Sequence, residues 1–178
     1  MTDLAKLAGL LAALSLTTPV ASQNWQHPAV ERYGDVVAVP GADFVPDRDR
    51  RHRIVFDLAA REDKDAVNVS LWYLARLVNL YALAGVRADS LDVVGVLHGG
   101  ATTLALSREA ATARAPELLD DLGLLEALAA AGVRFVVCGQ SAASAGIDLG
   151  TELHPNVAVG LSAMTTIAEL RARGYVGT

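Results

Sequence analysis

The stretch Gly132-Val133-Arg134-Phe135-Val136-Val137-Cys138-Gly139-Gln140-Ser141 decides the fold. A short β-branched run ends on the only cysteine and then turns. Val133 to Val137 predict a buried strand, because a run this short and apolar suits a parallel sheet covered on both faces. Gly139 lets the backbone bend sharply after the thiol, and Gln140-Ser141 can open a helix whose unpaired N–H groups point back at the sulfur. Such a position favours a thiolate. The competing reading makes Cys138 a small inert hydrophobe, since free cysteine is among the most buried residue types.

Outward from this stretch the pattern repeats. Arg53 to Leu58 and Leu91 to Leu97 read as strands of the same kind, and Asn156 to Leu161 reads as the last one. Helices are expected over residues 66–84, 104–113, 117–131 and 162–173, with a short one over 141–145. Gly85, Gly132 and Gly174 are placed to stop three of them. Strands alternating with helices call for an α/β domain with a parallel sheet of about five strands and right-handed crossovers. The 66–84 helix carries one apolar stripe through Val67, Leu71, Leu74, Val78 and Tyr81. A second runs through Trp72, Leu77, Leu80 and Leu83, more than one sheet can cover, which predicts burial against another subunit.

Toward the amino terminus the pattern stops. Residues 23–52 carry His27-Pro28, Tyr33-Gly34, Pro40-Gly41 and Pro46, so they read as an extended arm on the domain or reaching a neighbour, with Val36 to Val39 as an edge strand. The charged run Asp47 to Arg53 reads as a solvated surface, with a specific anion site as the lesser reading. Residues 1–22 have the make-up of a signal peptide: Lys6, the apolar run Leu7 to Leu16, and small residues before Gln23. That run is too short to span a bilayer, so no stable membrane insertion is expected after cleavage. The expected location is periplasmic or secreted, and cytoplasmic if the leader is misread. Residues 53–178 then form the α/β domain.

Composition narrows the function. The 178 residues suffice for one domain with a core, and a net charge of −5 excludes a nucleic-acid partner, since nothing would replace the counterions around phosphates. One cysteine cannot build a disulfide framework or a cysteine zinc site. No P-loop or dinucleotide fingerprint is present, and no cofactor is expected. His154, before Pro155, reads as surface; His98, His154, Cys138 and Asp57 lack metal-ligand spacing, so no metal is expected.

In parallel sheets ligands gather beyond the carboxyl ends of the strands. Asp57, His98, Cys138 and Ser162 all fall there, so a carboxylate, an imidazole, a thiol and a hydroxyl collect on one edge. Asp57 and Ser162 also read as turn and helix caps, and His98 as a core histidine bonded to a carbonyl. The Gly99-Gly100 pair offers a bend with exposed N–H groups, an anion nest.

Val93-Val94-Gly95-Val96-Leu97-His98-Gly99-Gly100-Ala101, Ala131-Gly132-Val133 leading to Val137-Cys138-Gly139-Gln140-Ser141, Leu161-Ser162-Ala163-Met164 and Arg173-Gly174-Tyr175 together resemble the DsrE/DsrF-like sulfur-relay family, here in a secreted type. The resemblance covers about residues 53–176. It implies a flavodoxin-like three-layer sandwich, assembly as a homo-oligomer (trimer or hexamer), and a cysteine that carries sulfane sulfur as a persulfide. Cys138 stands at the matching place. The resemblance implies that His98, Gly99, Gly100, Gln140 and Ser141 share its pocket; the residues themselves add the Gly139 turn amide, Asp57 and Ser162 at the same edge, and His98 as a proton shuttle. The expected activity is that of a sulfur carrier or sulfurtransferase, its donor and acceptor unnamed. The alternative is a non-catalytic oligomeric module that binds a small anion or nucleotide-like ligand. A Cys-His hydrolase ranks below both, because spacing identifies no orienting Asn or Asp.

Overall fold

The computed structural model describes residues 24–177. The leader predicted over residues 1–22 lies outside them. In chain order the elements are β1 (His52–Leu58), β2 (Asp63–Lys64), β3 (Val67–Asn68), α1 (Val69–Leu83), β4 (Leu91–Leu97), α2 (Arg108–Arg114), α3 (Leu119–Ala130), β5 (Arg134–Cys138), α4 (Gly139–Ser144), β6 (Val157–Gly160), α5 (Ala163–Ala172) and β7 (Val176–Gly177). The main sheet runs β6-β5-β4-β1-β7, with every pair parallel. Four strands are added in one direction; the chain then returns across the sheet to lay β7 beside β1.

Two apolar layers cover the two faces, which makes the domain a flavodoxin-like three-layer sandwich. The larger buries Ile54, Leu58, Val93, Leu97, Phe135 and Val137 against α1, α3 and α4. The smaller sets Val55, Val94, Val96 and Cys138 against Ala163, with Ile167 and Leu170 of α5 packed on it. Each fully buried aliphatic side chain contributes about 1.5–3 kcal/mol. Gly95 faces the larger layer, where a Cβ would press on Leu58 and the Phe135 ring, so a glycine in β4 makes room for the aromatic in β5.

Several expected boundaries move, each for a local reason. The first helix starts at Val69 rather than Ala66, because Asp65 (φ 54°) and Ala66 (φ 65°) form a left-handed two-residue turn between β2 and β3. Asn68 then caps α1 by accepting from the Ser70 and Leu71 N–H groups. The expected 104–113 helix is divided: a 3₁₀ turn runs from Gly99 to Ala105, and Ser107 caps α2 afresh. β6 is not the last strand, since Gly174 (φ 86°) turns the chain so that Val176 pairs with Ile54.

Val36 forms no edge strand of the sheet. It makes a single antiparallel bridge with Gln26 inside the arm, and Asn79 of α1 holds the neighbouring turn. The Asn79 side chain is fully buried; its Oδ1 accepts from the Ala29 and Val30 N–H groups, and its Nδ2 donates to the carbonyls of Val30, Tyr33 and Gly34. At Gly34 a Cβ would collide with the backbone of Ala75 and Arg76, so only glycine lets the arm lie this close. Arg76 lies between Trp72, 5.3 Å from the ring centre, and Trp25 of the arm at 5.9 Å, while Lys64 approaches Trp72 at 4.3 Å. Part of the second apolar stripe of α1 is therefore covered from within the same chain. Leu80 stays exposed beside Val39, Phe44 and Val45.

His154 is buried, contrary to the surface position expected of a residue before proline. Its Nδ1 accepts from the Asn156 N–H at 3.1 Å and its Nε2 faces Glu126 of α3 at 3.5 Å, so it fastens the loop before β6 to the helix layer. Among the described residues no helix is long and apolar enough to cross a membrane.

Replacing Asn79 by Ala is expected to lower stability by about 2–3 kcal/mol, because it strands buried backbone groups of the arm. Urea unfolding and limited proteolysis near Arg32 check this: the variant should unfold at lower urea and be cut faster. An unchanged midpoint with unchanged cleavage would show that the arm is held by something else.

Candidate functional site

Cys138 is at once the last residue of β5 and the N-cap of α4. A cap normally offers a side-chain oxygen to the free N–H groups of the first helical turn; here the sulfur takes that place. Sγ accepts from the Ser141 N–H at 3.4 Å. Gly139 is needed at this corner for close approach rather than for an unusual φ: a Cβ there would sit 2.9 Å from the Gly160 carbonyl oxygen.

Alternation along β5 sends Cys138 to the same face as Val136, toward α5. The sulfur therefore meets a second helix end. Burial pushes the thiol pKa up, but the Ser141 hydroxyl and the N–H groups of Ser141, Ala163 and Gln140 outweigh it, and the net value lies below the ordinary cysteine range. Ala163 is the first residue of α5. Reading the sequence missed that donor, because nothing local to Cys138 announces a helix that begins after the next strand.

The other predicted residues divide. Leu97 pairs with Val137 and Cys138 with Gly160, so His98 leaves its strand beside the cysteine, on the face shared by Val96 and Val136. Its ring turns the other way: Nε2 lies 2.5 Å from Asp57 Oδ1 on β1. Asp57 therefore orients His98, the partner that spacing alone did not reveal. Among the described residues no hydrogen bond joins His98 to Cys138. Gln140 is exposed, and its Nε2 donates to the Leu161 carbonyl at 3.3 Å, tying α4 to the β6–α5 loop. Ser162 spends its hydroxyl as the α5 cap, accepting from the Thr165 N–H at 3.1 Å.

The Gly99-Gly100 bend does not form the expected nest. The Gly100 N–H donates to Ala59 O and the Ala101 N–H to His98 O, both at 3.0 Å, so these amides serve the protein itself. Gly100 packs on the segment after β1, where a Cβ would press on Arg61. The bend closes back on His98 and on the segment after β1.

Access is narrow. Cys138 is 5% exposed, whereas Leu161 and Met164, on the loop and first turn beside it, are 74% and 82% exposed. Past Gly160, a cavity of about 330 Å³ opens between β6 and α5, lined by Val136, Val159, Thr165, Thr166, Glu169 and Leu170 among others. A sulfur whose pKa is lowered behind an apolar lip suits nucleophilic exchange with a small or extended donor group.

Comparison with known proteins adds three findings. The profile of the DsrE/DsrF-like family matches residues 54–176. No curated protein matches the chain. Among solved structures the chain is similar to MTH1491, a protein of unknown function from Methanobacterium thermoautotrophicum, at 20% identity over 71% of this chain and 97% of that one, with a TM-score of 0.48.

Folded protein is expected to show a thiolate absorbance midpoint below that of a model thiol, and Ser141→Ala should raise it without reaching the ordinary value, since the amide donors remain. The lower folded value means that the linked stability is present above the unfolded pKa and is lost as pH falls through the folded one. A wild-type midpoint at or above the ordinary thiol value would contradict the geometry.

Proposed function

The chain belongs to the DsrE/DsrF-like family, a membership that suggests a sulfur-relay role in general, and from that premise we propose that Cys138 carries sulfane sulfur as a persulfide. The observation that carries this reading is the sulfur itself, held at two helix ends with its pKa drawn down despite burial. The Cys138 thiolate attacks the outer sulfur of a donor persulfide, R–S–SH. A new S–S bond forms as the donor S–S bond breaks; R–S⁻ departs, and Cys138 holds the outer sulfur with its hydrogen. An acceptor thiolate then takes that sulfur by the same exchange, returning Cys138 to thiolate with no net oxidation.

The amides of Ser141, Gln140 and Ala163 stabilise the anion before and after transfer. His98, oriented by Asp57, supplies a proton to the departing thiolate. The alternative of a non-catalytic anion-binding module loses support at this site, because the Gly100 and Ala101 amides are already engaged.

The protein acts as a homo-oligomer in this reading, a trimer or hexamer. The exposed apolar residues Val39, Phe44, Val45 and Leu80, next to one another on the arm and α1, support that assembly.

Native mass spectrometry after polysulfide treatment reads both parts of the proposal. Wild-type protein should appear as an assembly of several chains and gain mass in sulfur-atom steps reversed by a thiol reductant, while Cys138→Ser should assemble but gain none. A Cys138→Ser variant that takes up sulfur equally would end the persulfide reading, and a monomer would end the oligomeric one.

A further inference from the structure

A separate cavity, also of about 330 Å³, lies at the amino end of β1. The strand rises about 3.3 Å per residue, so the cavity sits roughly 20 Å from the carboxyl edge that holds the sulfur. Arg50, Arg51, His52 and Arg53 form one side; Tyr81 of α1 and Gly174 before β7 form the other, with Ile54 and Val176 as aliphatic floor. No carboxylate lines it. The whole chain has 20 acidic residues against 15 Lys and Arg, so three arginines lining one cavity with no carboxylate in its wall run against its average.

Of these cations only Arg51 meets a carboxylate among the described residues, and it shares that one. Arg51 reaches Asp92 at 3.4 Å, but that carboxylate already accepts from Arg134 at 2.7 Å and from the Tyr175 hydroxyl at 2.8 Å. Arg53 donates one N–H to the Arg173 carbonyl at 3.2 Å, at the end of α5. Among the described residues the Arg50 side chain has no ion pair. The wall is braced: His52 Nε2 lies 2.8 Å from the Asp47 carbonyl, and the ring meets Tyr81 edge-on at 4.8 Å. A guanidinium offers five donors, so each of the three keeps N–H groups for a ligand.

We propose that this cavity binds a tetrahedral oxyanion carrying two negative charges, the chemistry shared by phosphate groups and by sulfur oxyanions such as thiosulfate. Forked guanidinium donors match the oxygens of such an anion in pairs, which a spherical halide cannot use. The site is independent of Cys138 and stands whether or not the sulfur is transferred.

Isothermal titration of the full chain with phosphate, and separately with thiosulfate, tests it at constant ionic strength set with chloride. Saturable binding with Kd on the order of 1 mM or tighter is expected for at least one of them, and the stronger identifies the source. Arg50→Ala should weaken it at least about fivefold, while Arg48→Ala, which removes the same charge outside the cavity, should change it less than about twofold. Circular dichroism matching the wild type establishes that both variants are folded. No saturable binding of either anion, or equal losses in the two variants, would overturn the proposal.

Discussion

A sulfur atom stands where a helix cap usually places an oxygen, and the arrangement of this domain follows from supporting it there. Burial alone would make the Cys138 thiol harder to ionise. Its cap position sets the N–H groups of the first turn of α4 against that penalty, and α5 adds the Ala163 amide from the far side. The second donor exists only because the chain returns across the sheet after β6, which lays α5 over the face that Cys138 points into. The topology of the sheet and the electrostatics of the thiol are thus one constraint. A helix on the other face would leave the sulfur with α4 alone.

The rest of the molecule keeps that edge fixed. Phe135 and Val137 anchor β5 from the face opposite the sulfur, with Gly95 opening space for the ring. Gly139 lets the corner pass under the Gly160 carbonyl, and Gln140 ties α4 to the loop that leads into α5. Asp57 and His98 form a pair on the neighbouring strands, aligned by register and not by sequence proximity. At the far side, Asn79 closes the arm over α1 by contacting five backbone groups with one side chain, two of the carbonyls sharing one amide hydrogen.

Much of this was legible in the residues, within definite limits. The three central strands stand out because their apolar runs are short, and Gly85, Gly132 and Gly174 mark the ends of helices. The helix opening after Cys138 follows from a strand running into Gly-Gln-Ser. What periodicity cannot read is the partner of a polar group. Asn79 interrupts the apolar repeat between Val78 and Leu80, a signal that it is buried for a reason, yet the arm it binds is nearly fifty positions away. The Asp65-Ala66 turn puts an alanine in left-handed backbone, a conformation alanine rarely adopts, so it looked like the start of a helix. Gly99-Gly100 looked like a nest because free and occupied amides have the same sequence. His154 looked exposed because its burial is set by Glu126 and the Asn156 amide.

The central claim is that Cys138 holds added sulfur within the reach of the Ser141 and Ala163 amides. A crystal structure of polysulfide-treated protein tests it most directly. The account predicts one additional sulfur bonded to Cys138 Sγ, with α4 and α5 unmoved around it. An unmodified Sγ in crystals of treated protein, or sulfur accommodated only after α5 has separated from the sheet, would contradict it.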